Sequence, residues 1–145
     1  INVGLGVNRT NKEMVEYIEQ SLSKITGQKV VKTHAKKAIA GFKLRTGDLV
    51  GLRVTLRGTR MYDFLDRLLN ITLPRIRDFK GIEVKQFDKQ GNLTLGFRDQ
   101  VPFAELGHDV LDRPFGLTMT ITIAKSDYDK SPKVLQALGF PMKLQ

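Results

Sequence analysis

The sequence predicts an α+β fold, in which amphipathic helices pack on one face of a mostly antiparallel sheet and a long basic loop stays exposed. Residues 51–57 and 117–124 alternate apolar and polar side chains, which is typical of half-buried strands. Three other segments repeat their apolar residues at helical spacing, so helices can cover the apolar side of such a sheet. At 145 residues, without repeats or low-complexity tracts, we expect a single domain spanning residues 1–145.

The first third of the chain is predicted to contain a short strand, residues 1–5, followed by the most regular helix. Thr10 and Glu13 form a capping-box pattern, in which each side chain can bond the backbone N–H of the other residue. Gly27 is a typical residue for ending this helix. The apolar stripe between them consists of Met14, Ile18, Leu22 and Ile25.

The next elements are a β-branched strand, a loop and a second half-buried strand. We place the first strand at residues 29–33 and a long exposed loop at residues 36–48, which have no clear period. The strand at residues 51–57 turns Arg53, Thr55 and Arg57 to its polar face.

The second half of the chain begins with another helix and a hairpin. Thr59 is predicted to cap the helix, which ends before Pro74, and its inward side chains are Tyr62, Leu65, Leu68 and Leu69. Residues 75–81 form a basic linker. Two strands, residues 82–87 and 92–97, flank an Asp-Lys-Gln-Gly sequence that is typical of a hairpin turn.

The C-terminal part is predicted to contain an irregular segment, a strand and a short helix. Residues 101–114 are irregular and comparatively acidic. Residues 117–124 give the clearest strand of the chain. Ser131 and Pro132 can start the last helix, which runs through Leu138 and stops at Gly139.

The sequence holds no residue set that is typical of an enzyme. The absence of cysteine excludes thiol catalysis, disulfides and cysteine-based zinc sites. A dinucleotide-binding fingerprint that starts at Gly4 would need a third glycine at the position of Arg9. Gly41 and Gly47 have the spacing of a phosphate-binding loop, but Asp48 stands where that loop needs a lysine. Neither His34 nor His108 has a partner at metal-ligand spacing. We therefore predict no enzymatic activity, no cofactor and no metal site, and no stretch reaches the ~18 apolar residues of a membrane span.

Positive charge is concentrated in one part of the chain. Residues 32–60, the basic window, hold eight basic residues and one acid, a net charge of +7 out of +9 for the whole chain. A charge that serves only solubility would be spread over the surface, so this concentration predicts a polyanionic partner. Lysine and arginine can neutralise phosphates, and an exposed Phe42 could stack on an unpaired base, worth about 1–3 kcal/mol. A solvated basic loop over a buried Phe42 is the alternative, but it leaves the self-repulsion of the window unexplained.

Two long runs of the basic window resemble a known family. Residues 36–45, Lys-Lys-Ala-Ile-Ala-Gly-Phe-Lys-Leu-Arg, and residues 51–58, Gly-Leu-Arg-Val-Thr-Leu-Arg-Gly, are similar to the large-subunit ribosomal protein five family, which binds 5S rRNA. The resemblance continues in order through residues 64–68, 73–81 and 138–141. It therefore covers almost the whole chain.

The resemblance implies a structural constituent of the large ribosomal subunit, in the central protuberance of a ribosome in a bacterial cytoplasm, a mitochondrion or a plastid. The implied partners are 5S rRNA, large-subunit rRNA, the peptidyl-site tRNA near the loop of residues 36–47, and a small-subunit head protein that residues 101–116 would bridge. The family's RNA-facing set matches Asn2, Gln28, Phe42, Thr55 and Arg57. With the neighbouring cations, we expect RNA contacts at Asn2, Gln28, Lys36, Lys37, Phe42, Lys43, Arg45, Arg53, Thr55 and Arg57.

Some positions depart from the family pattern. Thr118 stands where the family usually has an aspartate, and the family carries a further helix before the position of Ile1. Glu105, Asp109 and Asp112 would suit a basic ribosomal neighbour. Two other hypotheses remain: a free-standing RNA-binding assembly factor, and an RNA-acting enzyme, which would need a base or metal cluster.

Overall fold

The computed structural model describes residues 1–39, 41, 45–77, 79–107, 113–124 and 127–143. Within these residues, five strands form one sheet in the order β2-β3-β1-β5-β4, and all neighbouring strands are antiparallel. Together with the helices, this confirms the predicted α+β fold. The strands are β1 (Asn2–Gly4), β2 (Val31–His34), β3 (Leu49–Arg53), β4 (Leu93–Phe97) and β5 (Leu117–Ile121), and the helices are α1 (Lys12–Thr26), α2 (Thr59–Arg67), α3 (Leu73–Arg75) and α4 (Ser131–Ala137).

One hydrophobic core lies between the sheet and the helices. Helix α1 contributes Ile18, Leu22 and Ile25, and the strands contribute Val3 and Leu52, all of them fully buried. Burial of each such side chain contributes about 1.5–3 kcal/mol to folding. In the described part of the chain, no helix is long and apolar enough to cross a membrane.

In the described part of the chain, no helix covers the other face of the sheet, and we call it the open face. Cross-strand register places Asn2 directly opposite both Arg53 and Thr118, near the middle of this face. Its exposed members are mostly small, polar or cationic: Asn2, Gly4, Arg53, Thr94, Gly96, Thr118 and Thr120. Val31 of β2, directly opposite Arg53 and 52% exposed, adds one apolar side chain to this face. A ligand can therefore lie across the strands without displacing any helix.

Helix α1 begins one residue after the predicted cap. The side-chain oxygen of Asn11 accepts a hydrogen bond from the Met14 backbone N–H at 3.2 Å, so Asn11 is the N-cap and the predicted role of Thr10 was wrong. The predicted end is confirmed. Gly27 has φ = +72° and donates its N–H to the Ser23 carbonyl, a geometry that glycine adopts without strain.

Strand β3 lies earlier in the chain than predicted. It ends at Arg53, and Val54 then donates its N–H to the Ile1 carbonyl at 2.8 Å. Exposed and buried residues continue to alternate after the strand, so Thr55 and Arg57 remain exposed. They follow the strand rather than belong to it.

The second helix does not end before Pro74, so that prediction was wrong. It continues through a π-helical segment, Leu68–Thr72, into α3. Pro74 lies in α3 directly after the π-helical segment, and the helix ends one residue later at Arg75. The core-facing residue of α2 is Phe64, whereas Tyr62, predicted to face inward, is 62% exposed.

One of the two predicted hairpin strands forms. Residues 92–97 contain β4, but residues 82–87 contain a short 3-10 turn and contact β4 only through a bridge between Phe87 and Leu93. The predicted turn is present: Asp88 donates its N–H to the Asn92 carbonyl at 2.9 Å and accepts the Gly91 N–H. Strand β5 and helix α4 lie within their predicted segments.

Candidate nucleic-acid interface

Four of the predicted RNA contacts surround one shallow hollow at the edge of the open face. Asn2 of β1, Arg53 of β3, and Thr55 and Arg57 from the segment after β3 line this hollow of about 500 Å³, together with threonines of β5 and the segment after it. Asn2 and Arg53 are direct cross-strand neighbours. The hollow therefore combines two guanidinium groups with amide and hydroxyl groups, which can bond phosphate and ribose oxygens. Eight of its fourteen lining residues are apolar, among them Met61, Phe64 and Leu65 of α2.

Gln28 holds one rim of this hollow in place. Its side-chain Nε2 donates a hydrogen bond of 2.6 Å to the backbone carbonyl of Thr55, 27 residues away. Gln28 is half-buried, while Thr55 is exposed. Gln28 therefore lies beside the other predicted RNA contacts, and its hydrogen bond positions Thr55.

Hydrogen bonds close the base of the basic loop. Ala35 donates its N–H to the Asp48 carbonyl, Gly47 donates to the Ala35 carbonyl, and both distances are 2.8 Å. The His34 Nδ1 lies 3.2 Å from the Gly47 carbonyl. The Asp48 carboxylate accepts the Arg45 backbone N–H at 2.9 Å. Asp48, the acidic residue of the basic window, is therefore hydrogen-bonded to the backbone of this turn.

Three of the predicted RNA-contact cations lie in the loop above this hydrogen-bonded base. Lys36, Lys37 and Arg45 are all exposed. None of them forms an ion pair with another described residue. Phe42 and Lys43 lie outside the described residues.

Lys32 is the member of the basic window that does not belong to this surface. It lies opposite Leu52, on the helix-covered side of the sheet, and its Nζ is 3.7 Å from a carboxylate oxygen of Glu19 in α1. Among the described residues of the basic window, Lys32 is the cation that forms an ion pair, and its partner is Glu19. Arg53 and Arg57 make none there, so their charges remain available to a ligand.

Sequence reasoning missed the threonines of the open face as contact residues. Thr118 lies opposite Asn2 and Gly96, in a second shallow hollow of about 380 Å³ that Gly4 also lines. The signal was present, because the alternation of residues 117–124 turns their threonines away from the core. With Thr118 in place of an acid, the centre of this face carries no negative charge that would repel phosphate.

The predicted acidic surface of residues 101–116 is partly used inside the protein. Arg67 Nη1 donates to Glu105 Oε1 at 3.2 Å, and the Glu105 side chain is only 19% exposed. The Arg67 guanidinium also lies 6.0 Å from the centre of the Phe64 ring. Glu105 is therefore already paired within the protein, and the expected contact with a basic neighbour stays a prediction. Asp109 and Asp112 lie outside the described residues.

A buried glutamine fixes both ends of this segment. Gln100 is fully buried, and its Nε2 donates to the Arg113 carbonyl at 2.8 Å and to the Tyr17 hydroxyl at 3.2 Å. Its Oε1 accepts the Phe115 backbone N–H at 3.0 Å. Residues 100 and 113–115 are therefore held together against α1. Within the described ranges, no group of three histidine or acidic side chains could hold a metal ion.

Comparison with known proteins agrees with a surface built for nucleic acid. The family described as Ribosomal protein L5 matches residues 1–45, and the ribosomal L5P family C-terminus matches residues 49–142. The chain is 46% identical over 143 residues to large ribosomal subunit protein uL5 of Francisella tularensis subsp. novicida, and equally to the proteins of that name in subspecies tularensis and holarctica. Each match covers 99% of this chain and 80% of the relative.

The chain belongs to the ribosomal L5 family. This L5-family protein is a structural, non-enzymatic constituent of the large ribosomal subunit, with ribosomal RNA as its partner and translation as its process. The resemblance found in the sequence is thereby confirmed. Membership in this family also favours a ribosomal constituent over a free-standing assembly factor.

Proposed function

We propose that this L5-family protein binds 5S rRNA across the open face of its sheet and the adjoining basic loop. The observation that carries the proposal is the hollow in which Asn2, Arg53, Thr55 and Arg57 converge. Two unpaired guanidinium groups beside neutral hydrogen-bonding groups suit an RNA backbone, because arginine bonds phosphate in a planar fork. The exposed threonines extend this surface with hydroxyl groups that can bond ribose 2′-hydroxyls.

The shape of the open face supports RNA over a folded protein partner. Its centre consists of Asn2, Gly4, Gly96 and Thr118, with no large apolar side chain that could anchor a protein interface. The glycines let a backbone approach the sheet closely. Sugar and phosphate groups need such an approach, since they have few apolar surfaces to bury.

Three further contacts belong to the same proposal. Large-subunit rRNA is the second RNA partner, the loop of residues 36–47 reaches the peptidyl-site tRNA, and residues 101–116 bridge to the small-subunit head. The exposed Lys36 and Lys37 support the tRNA contact. The hydrogen bonds from the buried Gln100 to residues 113 and 115 fix the two ends of this segment, which supports the bridge. Site-specific crosslinking from position 37 in 70S ribosomes should yield peptidyl-site tRNA, and absence of that product would contradict the tRNA contact.

Binding to 5S rRNA is tested with purified protein and two RNAs. We expect at least tenfold tighter binding to 5S rRNA than to an unrelated hairpin RNA of equal length. For about five neutralised phosphates, the slope of log affinity against log salt should be about −4. Equal affinity for both RNAs would contradict specific recognition.

Paired variants locate the contact on the protein. Arg53→Gln with Arg57→Gln should weaken 5S rRNA binding about 10- to 100-fold and make the salt slope shallower by about 2, because two phosphate contacts are lost. Lys12→Gln with Lys24→Gln is the matched control, because it removes the same charge from exposed positions of α1, on the covered side of the sheet. An equal loss in both pairs would mean that net charge, not this hollow, determines the affinity.

A further inference from the structure

A second cationic groove runs along the free edge of β4, far from the basic window. It has a volume of about 850 Å³, and five basic and two acidic residues line it. Arg75 ends α3, Arg77 and Lys80 follow it, Lys85 lies in the 3-10 turn within residues 82–87, and Arg98 follows β4. All five side chains are exposed. Because β2 and β4 are the two edge strands, the groove and the loop after β2 lie at opposite edges of the sheet.

The acidic residues of the groove are already bonded within the protein. Glu83 pairs with Lys85 at 2.6 Å and with Lys143 at 3.3 Å, and these lysines hold the pKa of its carboxyl below the usual value. Asp99 accepts the Val101 backbone N–H at 3.1 Å. Among the described residues, no ion pair reaches Arg75, Arg77, Lys80 or Arg98. The described lining residues, five basic and two acidic, therefore leave the groove with a net positive charge of three.

The groove is also continuous with the open face. Gly96, Phe97 and Arg98 line both the groove and the shallow hollow that contains Asn2 and Thr118. A single RNA lying across the open face would thus reach the groove at the β4 edge. Five strands at ~4.8 Å spacing make the distance between the edge strands only about 19 Å.

We propose that this groove binds a second backbone segment of the same RNA that docks on the open face. The inference rests on the proposed function and extends it to a part of the chain outside the basic window. The planar guanidinium groups of its arginines can form paired hydrogen bonds with phosphate oxygens. The half-buried Ile76 and Phe79 give the groove an apolar lining, and the Phe79 ring can pack against a ribose or a base. That combination favours a nucleotide chain over an acidic protein, which would leave the aromatic ring without a flat partner.

The test uses the full chain and 5S rRNA. Arg75→Gln with Arg77→Gln should weaken binding about tenfold or more and make the salt slope shallower by about 2. In phosphate-ethylation interference with this variant, the RNA phosphates that contact the groove should no longer affect binding. The phosphates that depend on Arg53 and Arg57 should still affect it. The Lys12→Gln, Lys24→Gln pair should leave both sets and nearly all the affinity. Circular dichroism should show the same fold for every variant, because all substituted residues are exposed.

The outcomes separate this inference from the proposal that it extends. If the unchanged protein binds 5S rRNA tightly but the Arg75, Arg77 pair retains that affinity and the full interference pattern, the groove serves another partner and the inference is wrong. If the unchanged protein shows no preference for 5S rRNA, the proposed function itself fails.

Discussion

Replacement of the buried Gln100 tests how the segment between β4 and β5 is held. In Gln100→Leu, the Phe115 N–H loses its acceptor inside the protein, and an orphaned buried donor costs about 1–3 kcal/mol. The Arg113 carbonyl and the Tyr17 hydroxyl lose a donor as well, but their residues are partly exposed and water can replace it. The loss of each of these two hydrogen bonds costs at most about 1 kcal/mol. The extra apolar burial of leucine offsets about 1 kcal/mol, so the central value of the expected loss of stability is about 2 kcal/mol.

Urea unfolding followed by circular dichroism measures this loss as a shift of the midpoint at constant slope. Gln136→Leu is the matched control, because Gln136 is exposed on α4 and the same substitution there should change stability by less than about 0.5 kcal/mol. A Gln100→Leu protein as stable as the control would refute the view that these hydrogen bonds hold the segment. The same variant should keep its 5S rRNA affinity, since Gln100 lies away from the open face.

Three further substitutions test local features of the fold. Gly91→Ala should cost at least about 2 kcal/mol in urea unfolding, because φ is +84° and the new Cβ would lie 2.5 Å from a backbone carbonyl oxygen; an unchanged midpoint would contradict this contact. Arg67→Met should cost about 2–3 kcal/mol in urea unfolding at pH 7, because it leaves the mostly buried Glu105 carboxylate without its ion-pair partner. For Asp88, the backbone N–H of Asn92 lowers the carboxyl pKa below 3.8, so its stabilisation is complete above that pH and is lost as pH falls through the folded value. Asp88→Ala should therefore lower the urea midpoint at pH 7, and its difference from the unchanged protein should narrow below pH 3.8.

Most of the fold could be predicted from the sequence, because local patterns determine its main elements. The alternation of residues 117–124 and the apolar stripe of α1 follow from burial of one face, and both elements lie within their predicted segments. The errors lie where tertiary contacts decide. The helix passes through Pro74 by way of a π-helical segment, and residues 82–87 pair with β4 at a single bridge at Phe87. Neither contact leaves a periodic trace in the sequence.

The candidate site was only partly predictable. Charge density identified the basic window, and the resemblance identified Asn2, Thr55 and Arg57. Sequence could not show that Lys32 lies on the covered side of the sheet, because that depends on the register between β2 and β3. The groove at the β4 edge was also hidden, since Arg98 comes next to the linker cations only when the sheet forms.

The central claim is that the open face of the sheet carries the RNA, and an NMR titration of the isotope-labelled protein with 5S rRNA tests it most directly. We predict that the backbone amide signals of Asn2, Arg53 and Thr118 shift or broaden, while those of Lys12 and Glu16 on the solvent side of α1 stay unchanged. Perturbations concentrated on α1, with the strand signals unmoved, would place the RNA on the wrong side of the protein and contradict the account.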